Sequence, residues 1–367
     1  MNILIFSVSI GNGHDQVAHT IKNGFLMVNP NNKVKIINTI SLISPLLDKV
    51  ILDSYLNILK FYPKAWGKIY EKTNKLDPII DINDITNKIT SSRLKKPTLN
   101  FEPDIIFCTH SFPASIITNL KEKKVIDCPL ITIVTDYNIH STYINDYTDF
   151  YVIHHESLIP TMETYGVRKE KILPFGIPIK IDFSIPLDKN QILSNLSLKN
   201  KKTILVMGGG LGLGAINGIV NELDKKLEDI QIIAIAGRNE RLEAKLKNLN
   251  TVNDLKVYGF INNVHELMEI SDCIISKPGG VTCAEILAKQ KPLIIFSPLP
   301  GQESDNAEFL LNYGVAVTAS GISRIPPLIN QITNLEVKIN SMKEISSYLK
   351  KPNATLDLIN FVTKNYS

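Results

Sequence analysis

The stretch NILIFSVSIGNGHDQVAH, residues 2–19, decides the fold. A short, β-branched apolar run enters a Gly-Asn-Gly turn and leaves it in residues spaced as on a helix. Strand, glycine loop and helix in that order form the opening unit of a nucleotide-binding type of sheet. The dinucleotide fingerprint itself is incomplete. Gly11 and Gly13 occupy its first two places, but Gln16 stands where the third glycine belongs. His14 closes the loop, and its role is the question the stretch leaves open.

The same alternation continues outward. KVKIIN, DIIFCTH, PLITIVTD and DFYVIHH are strand-like runs, and helix-like stretches such as PASIITNLKEK lie among them. Such runs, apolar on both sides, suit parallel strands covered by helices, and the alternation predicts a doubly wound α/β architecture. The pattern pauses at GIPIKIDFSIPLDKNQILSNLSLKNKK and restarts with TILVMGGGLGLGA, IQIIAIAG, LKVYGF, DCIIS and PLIIF. We place the break within residues 177–200, giving domains 1–178 and 179–349 that face each other across a cleft. A C-terminal helix over 350–367 is expected to pack back on the first domain.

The chain has 367 residues, 44% hydrophobic and 21% charged, ordinary for a globular protein of one or two domains. A net charge of +4 gives no reason to expect nucleic acid. Cys108, Cys128, Cys273 and Cys283 form no CxxC pair, which predicts buried, reduced thiols and no structural zinc. The first strand begins at once, so no leader peptide is expected, and no apolar run reaches the roughly 18 residues of a membrane span.

Two further glycine loops matter. GGGLGLGA, residues 208–215, follows a strand, and Arg238 stands after the next strand, where a dinucleotide site would want a carboxylate. KPGGVTCAE follows DCIIS and opens a helix, placing backbone N–H groups where an anion or sugar hydroxyls could sit. Thr282 and Glu285 have the spacing of a capping box. Glu285 therefore has two readings, a helix cap or a carboxylate for a ribose diol.

KPGGVTCAE followed by PLIIFSPLPGQESDNAEFL resembles the donor-binding half of glycosyltransferases that make monogalactosyl- and monoglucosyl-diacylglycerol. It is more distantly similar to the N-acetylglucosaminyltransferase of the lipid-linked peptidoglycan precursor. GNGHDQVA, PDIIFCTHSFPA, TDYNIH and FGIPI match the same family in the same order, so the resemblance covers about residues 1–320. It implies the GT-B arrangement of two Rossmann-like domains, a UDP-sugar donor, inversion at the anomeric carbon, and no cofactor or metal. It also places the donor. The uracil would lie near Arg238 and the backbone of Phe260 and Ile261. The diphosphate would meet Gly208, Gly209 and Gly212 and the turn of Pro278, Gly279, Gly280, Val281 and Thr282. Glu285 would hold the ribose, and Gln302, Glu303 and Asn306 the hexose hydroxyls, which both donate and accept.

On the acceptor side, an inverting transfer needs a base for the attacking hydroxyl. Histidine suits that task because its pKa lies near working pH, so His14 is the first candidate. Asp136, at a strand's carboxyl end, is the alternative base or an orienting partner. Gly11, Gly13, His110 and His140 complete the acceptor loops, while His19 and His265 read as structural. His14 also has a plain reading as a local helix cap. Loss of UDP would be eased by glycine-loop N–H groups and helix dipoles.

Between Lys60 and Lys75 the chain carries five lysines and one acid, Glu71. A helix from Pro63 would put Lys64, Lys68 and Lys72 on one side and Trp66, Ile69 and Tyr70 beside them, although Gly67 weakens it. With the resemblance, this predicts contact with an anionic membrane surface. Relatives often carry a tryptophan soon after the TD…H segment, where this chain has Tyr143 and Tyr147. The expectation is a peripheral enzyme of the inner membrane face moving hexose from a UDP-sugar to diacylglycerol. Rivals are a different lipid-linked acceptor, a sugar-nucleotide epimerase, and a non-catalytic UDP-sugar binder.

Overall fold

The computed structural model describes residues 1–9, 12–43, 67–68 and 83–366, with the backbone alone over 83–91. The chain divides into two compact units. The first holds residues 1–181, 300–302 and 353–367, and the second holds 182–299 and 303–352.

The first unit is built on a parallel sheet of β1 (Asn2–Ser7), β2 (Lys33–Asn38), β3 (Ile105–Cys108), β4 (Leu130–Ile133), β5 (Phe150–Val152) and β6 (Ile172–Leu173). Its strand order is β2-β1-β3-β4-β5-β6. Helices α1 (Gly13–Val28), α2 (Thr39–Ile43), α3 (Asn83–Phe101), α4 (Ser111–Glu122) and α5 (Ile159–Thr164) connect the strands. The interior strands IIFC and LITI are buried at every position, as the uninterrupted apolar runs require. The edge strand β2, KVKIIN, alternates, because one of its sides meets water. Ile3, Ile5 and Phe6 pair with Ile105, Phe107 and Cys108, which fixes how the ends of β1 and β3 align.

The second unit repeats the plan with β7 (Thr203–Met207), β8 (Gln231–Ile235), β9 (Asp254–Tyr258), β10 (Cys273–Ser276), β11 (Leu293–Phe296) and β12 (Ala316–Ala319). The order is β12-β11-β10-β7-β8-β9, and every pairing is parallel. Its helices are α6 (Lys189–Asn195), α7 (Ile216–Lys226), α8 (Glu240–Lys247), α9 (Val264–Ile270), α10 (Gly280–Ala288), α11 (Gln302–Asn312), α12 (Ile325–Asn334) and α13 (Glu336–Leu349). The core packs Ile204, Val206 and Ile275 of the sheet against Ile219 and Val220 of α7 and Ile329 of α12. Two six-stranded parallel sheets make the chain an α/β protein of doubly wound type.

The last helix, α14 (Ala354–Tyr366), belongs to the first unit. It lies on α1 so closely that a methyl group at Gly24 would stand 2.3 Å from Ile359 Cδ1. Phe361 meets the rings of Phe150 and Phe175 at 5.0 and 5.7 Å, and Thr355 Oγ1 donates to Ile179 O at 2.6 Å.

All four cysteines are free; Cys128 is only half-buried, and burial raises its thiol to about 11. Among the described residues, no helix is long and apolar enough to cross a membrane.

Candidate functional site

Strand order locates the candidate sites. In the first sheet the chain reverses its direction of build between β1 and β3, and in the second between β7 and β10. Loops leaving the carboxyl ends of two such strands diverge to opposite faces and leave a crevice. His14 and His110 follow β1 and β3. The glycine loop 208–214 and the turn 277–279 follow β7 and β10.

His14 is the second residue of α1, whose N-cap is Asn12. It caps nothing. Its Nδ1 lies 2.7 Å from Thr109 O, across the crevice, and 3.2 Å from Thr135 Oγ1. A carbonyl can only accept, so Nδ1 carries a proton, and in the neutral ring the lone pair is then on Nε2. Asp15 accepts from Ser7 Oγ and Ser9 Oγ, both at 2.6 Å, and Asn38 Nδ2 donates to Ser9 Oγ at 2.7 Å. These bonds tie Ser9 and the first turn of α1 to the ends of β1 and β2. Gly13 begins α1, and Gly11 lies outside the described residues.

The His110 ring stands edge-on to His14 with centroids 4.7 Å apart. Its Nδ1 accepts the N–H of Phe112 at 2.9 Å, so His110 is the N-cap of α4. His140 is buried and caps the turn Ser141–Tyr143 through Nδ1. Burial, and then the charges of His14 and His140, push His110 well below the ordinary histidine value. Asp136 is half-buried beside Thr135, and burial followed by its charge raises the Tyr143 phenol. His19 is exposed on α1, and His265 packs on Phe183.

In the second unit the glycine loop is locked to the loop after β8. Gly209 and Gly212 have φ of +68° and +59°. A methyl group at Gly212 would stand 1.9 Å from Ala236 O, and one at Gly208 would stand 2.2 Å from Leu213 O. Arg238 N donates to Gly210 O at 3.0 Å, and Asn239 Nδ2 to Gly212 O at 3.3 Å. The Arg238 guanidinium lies 5.0 Å from the centroid of Phe260, which is 52% exposed, with Ile261 next to it. Fold and ring contact thus bring together residues far apart in sequence.

The turn after β10 corrects one expectation. Gly279, not Thr282, is the N-cap of α10, so Thr282 sits inside the first turn. The capping box would need the cap three residues later, and the Glu285 cap reading falls with it. Glu285 is instead buried within α10, as are Gly280 and Val281. Gly279 has φ −68° and open space where a Cβ would project. Asn306 is buried and donates to Pro278 O at 3.0 Å, holding the turn. Glu303 Oε2 accepts from Leu299 N at 2.7 Å and pairs with Lys277 at 3.2 Å. Gln302 opens α11.

The sequence reading passed over Thr109, Thr135, Asp15 and Lys277. Lys277, the residue just before Pro-Gly-Gly, had a legible position, whereas Thr109 acts through its backbone and carries no signal. Lys68 is exposed; Lys64, Trp66, Ile69, Tyr70 and Lys72 lie outside the described residues.

Residues 14–179 match the family model of monogalactosyldiacylglycerol synthase, and 203–357 match the glycosyltransferase family 28 C-terminal domain. The two domains, with the relatives below, make the chain a lipid glycosyltransferase. It is similar to a processive diacylglycerol beta-glucosyltransferase of Bacillus cereus, 28% identical over 95% of this chain and 90% of that one. Among solved structures it is similar to Acinetobacter baumannii MurG at 14% identity, with TM-score 0.61 and 99% of both chains covered. It is also similar to the UDP-GlcNAc 2-epimerase of Neisseria meningitidis, solved with UDP-GlcNAc, at 16% identity, TM-score 0.62 and 99% coverage of both. These likenesses show the fold, which is GT-B.

Proposed function

We propose that this glycosyltransferase moves a hexose, glucose in the first instance, from UDP to the hydroxyl of diacylglycerol, with inversion. The observation that carries the reading is the hydrogen bond from His14 Nδ1 to Thr109 O, which leaves Nε2 as the base. The acceptor O–H gives its proton to Nε2 as its oxygen attacks the anomeric carbon. The bond from that carbon to the phosphate oxygen breaks, and UDP leaves with the electron pair. His14 takes the proton and Asp136 is the second candidate for it.

The second unit takes the donor. Arg238 and Phe260 meet the uracil, with the backbone of Ile261. The glycine loop and the turn ending in Gly279 meet the diphosphate, where N–H groups at the start of α10 and the helix dipole oppose its growing charge. Glu285 holds the ribose, and Gln302, Glu303 and Asn306 the hexose end. This needs no resident cofactor. The basic and aromatic stretch around Lys68 supports action on an anionic membrane face, where Lys64 and Lys72 would meet headgroups.

The test supplies labelled UDP-glucose or UDP-galactose with diacylglycerol in anionic and in neutral vesicles. Labelled glycolipid is expected, and more of it on anionic vesicles. Interconversion of free UDP-hexose without transfer would favour an epimerase and sink the reading. His14→Ala should keep UDP affinity within severalfold while turnover falls roughly 100-fold or more, the scale of a lost general base.

A further inference from the structure

Two histidines share the crevice of the first unit, and their hydrogen bonds differ. His14 donates through Nδ1 to Thr109 O and keeps its lone pair on Nε2. His110 does the reverse. Its Nδ1 accepts the Phe112 N–H as the cap of α4, so its proton must sit on Nε2. Among the described residues, that N–H makes no hydrogen bond. The two rings are edge-to-face with centroids 4.7 Å apart, so both face the same small volume of the crevice.

A hydroxyl being deprotonated needs a base for its hydrogen and profits from a donor to its oxygen, which becomes negative as it attacks. We propose that His110 is that donor, holding the acceptor's hydroxyl oxygen through Nε2–H while His14 removes the proton. The inference rests on the reading of His14 as base. His110 is poorly placed to be a second base. Protonating its Nδ1 would break the α4 cap, and burial beside His14 and His140 opposes its charge. When His14 takes up the proton, a neutral neighbour avoids a second cation at close range.

His110→Asn tests this with the helix intact, because asparagine is itself a strong N-cap and its side-chain oxygen can accept the Phe112 N–H. The full chain, diacylglycerol vesicles and labelled UDP-glucose are used, with kcat/KM for the acceptor followed against pH. We expect melting within a few degrees of wild type and UDP affinity unchanged. kcat/KM should fall about 100- to 1000-fold, the scale of a lost hydrogen bond to a developing oxyanion, with the acidic limb of the profile kept. Unchanged kcat/KM would overturn the proposal, and so would loss of the acidic limb, which would make His110 the base. His14→Ala is run beside it. Full turnover there would sink the base assignment, and this inference with it, whereas an inactive His14→Ala with an unaffected His110→Asn would sink the donor role alone.

Discussion

Two glycines of the donor loops are glycine for different reasons. Gly212 is required by the fold, since a Cβ would collide with Ala236 O at a φ that costs an L-residue about 1–2 kcal/mol. Gly279 has an ordinary φ of −68° and nothing near its Cβ position. Neither backbone nor packing asks for glycine there, so the space suits a ligand at the start of α10. Serine is a better N-cap than glycine. Gly279→Ser should therefore melt at or slightly above wild type in thermal unfolding, yet bind UDP about tenfold more weakly by calorimetry. Equal UDP binding would show that the diphosphate lies elsewhere.

At the scale of elements, the α4 cap links folding to pH. His110 is pushed below its ordinary value, chiefly by burial, so between that lowered value and the unfolded value near about 6.5 the unfolded chain binds a proton that the native chain refuses. Its contribution to stability is full above about pH 6.5 and is lost as pH falls. Thermal melts from about pH 7.5 down to about pH 5 should show a falling midpoint, and His110→Asn, which cannot titrate, should fall less. An equal fall in both would assign the effect to other groups. The strands were legible because a parallel sheet buried on both sides requires unbroken apolar runs. Of the two readings of Glu285, spacing alone could not drop the cap, because Thr282-x-x-Glu285 satisfies the capping spacing while Gly279, which caps by conformation, leaves no side-chain signature.

At the scale of the whole chain, the polypeptide finishes the second unit and then returns to the first through α14. Leu358, Ile359 and Val362 are fully buried. At about 1.5–3 kcal/mol each, their burial is comparable to the entire 5–15 kcal/mol margin of a domain. Ending the chain at Asn353 should therefore unfold the first unit, seen as insoluble expression or loss of its thermal transition. A soluble truncation with an unchanged melt would show that α14 is dispensable.

The sequence by itself determined the fold class, the glycine loops and the order of the family's motifs. These depend on local periodicity and on residue types at short spacing, which one-dimensional order preserves. Only the tertiary structure decided which imidazole nitrogen is left basic. That depends on a backbone oxygen of Thr109, 95 residues from His14, whose position is set by the register of β1 on β3. The same holds for Arg238 over Phe260 and for Asn306 under Pro278. Each of these pairs is made by segments meeting at the carboxyl ends of a sheet's strands, and no spacing along the chain records which ends will meet.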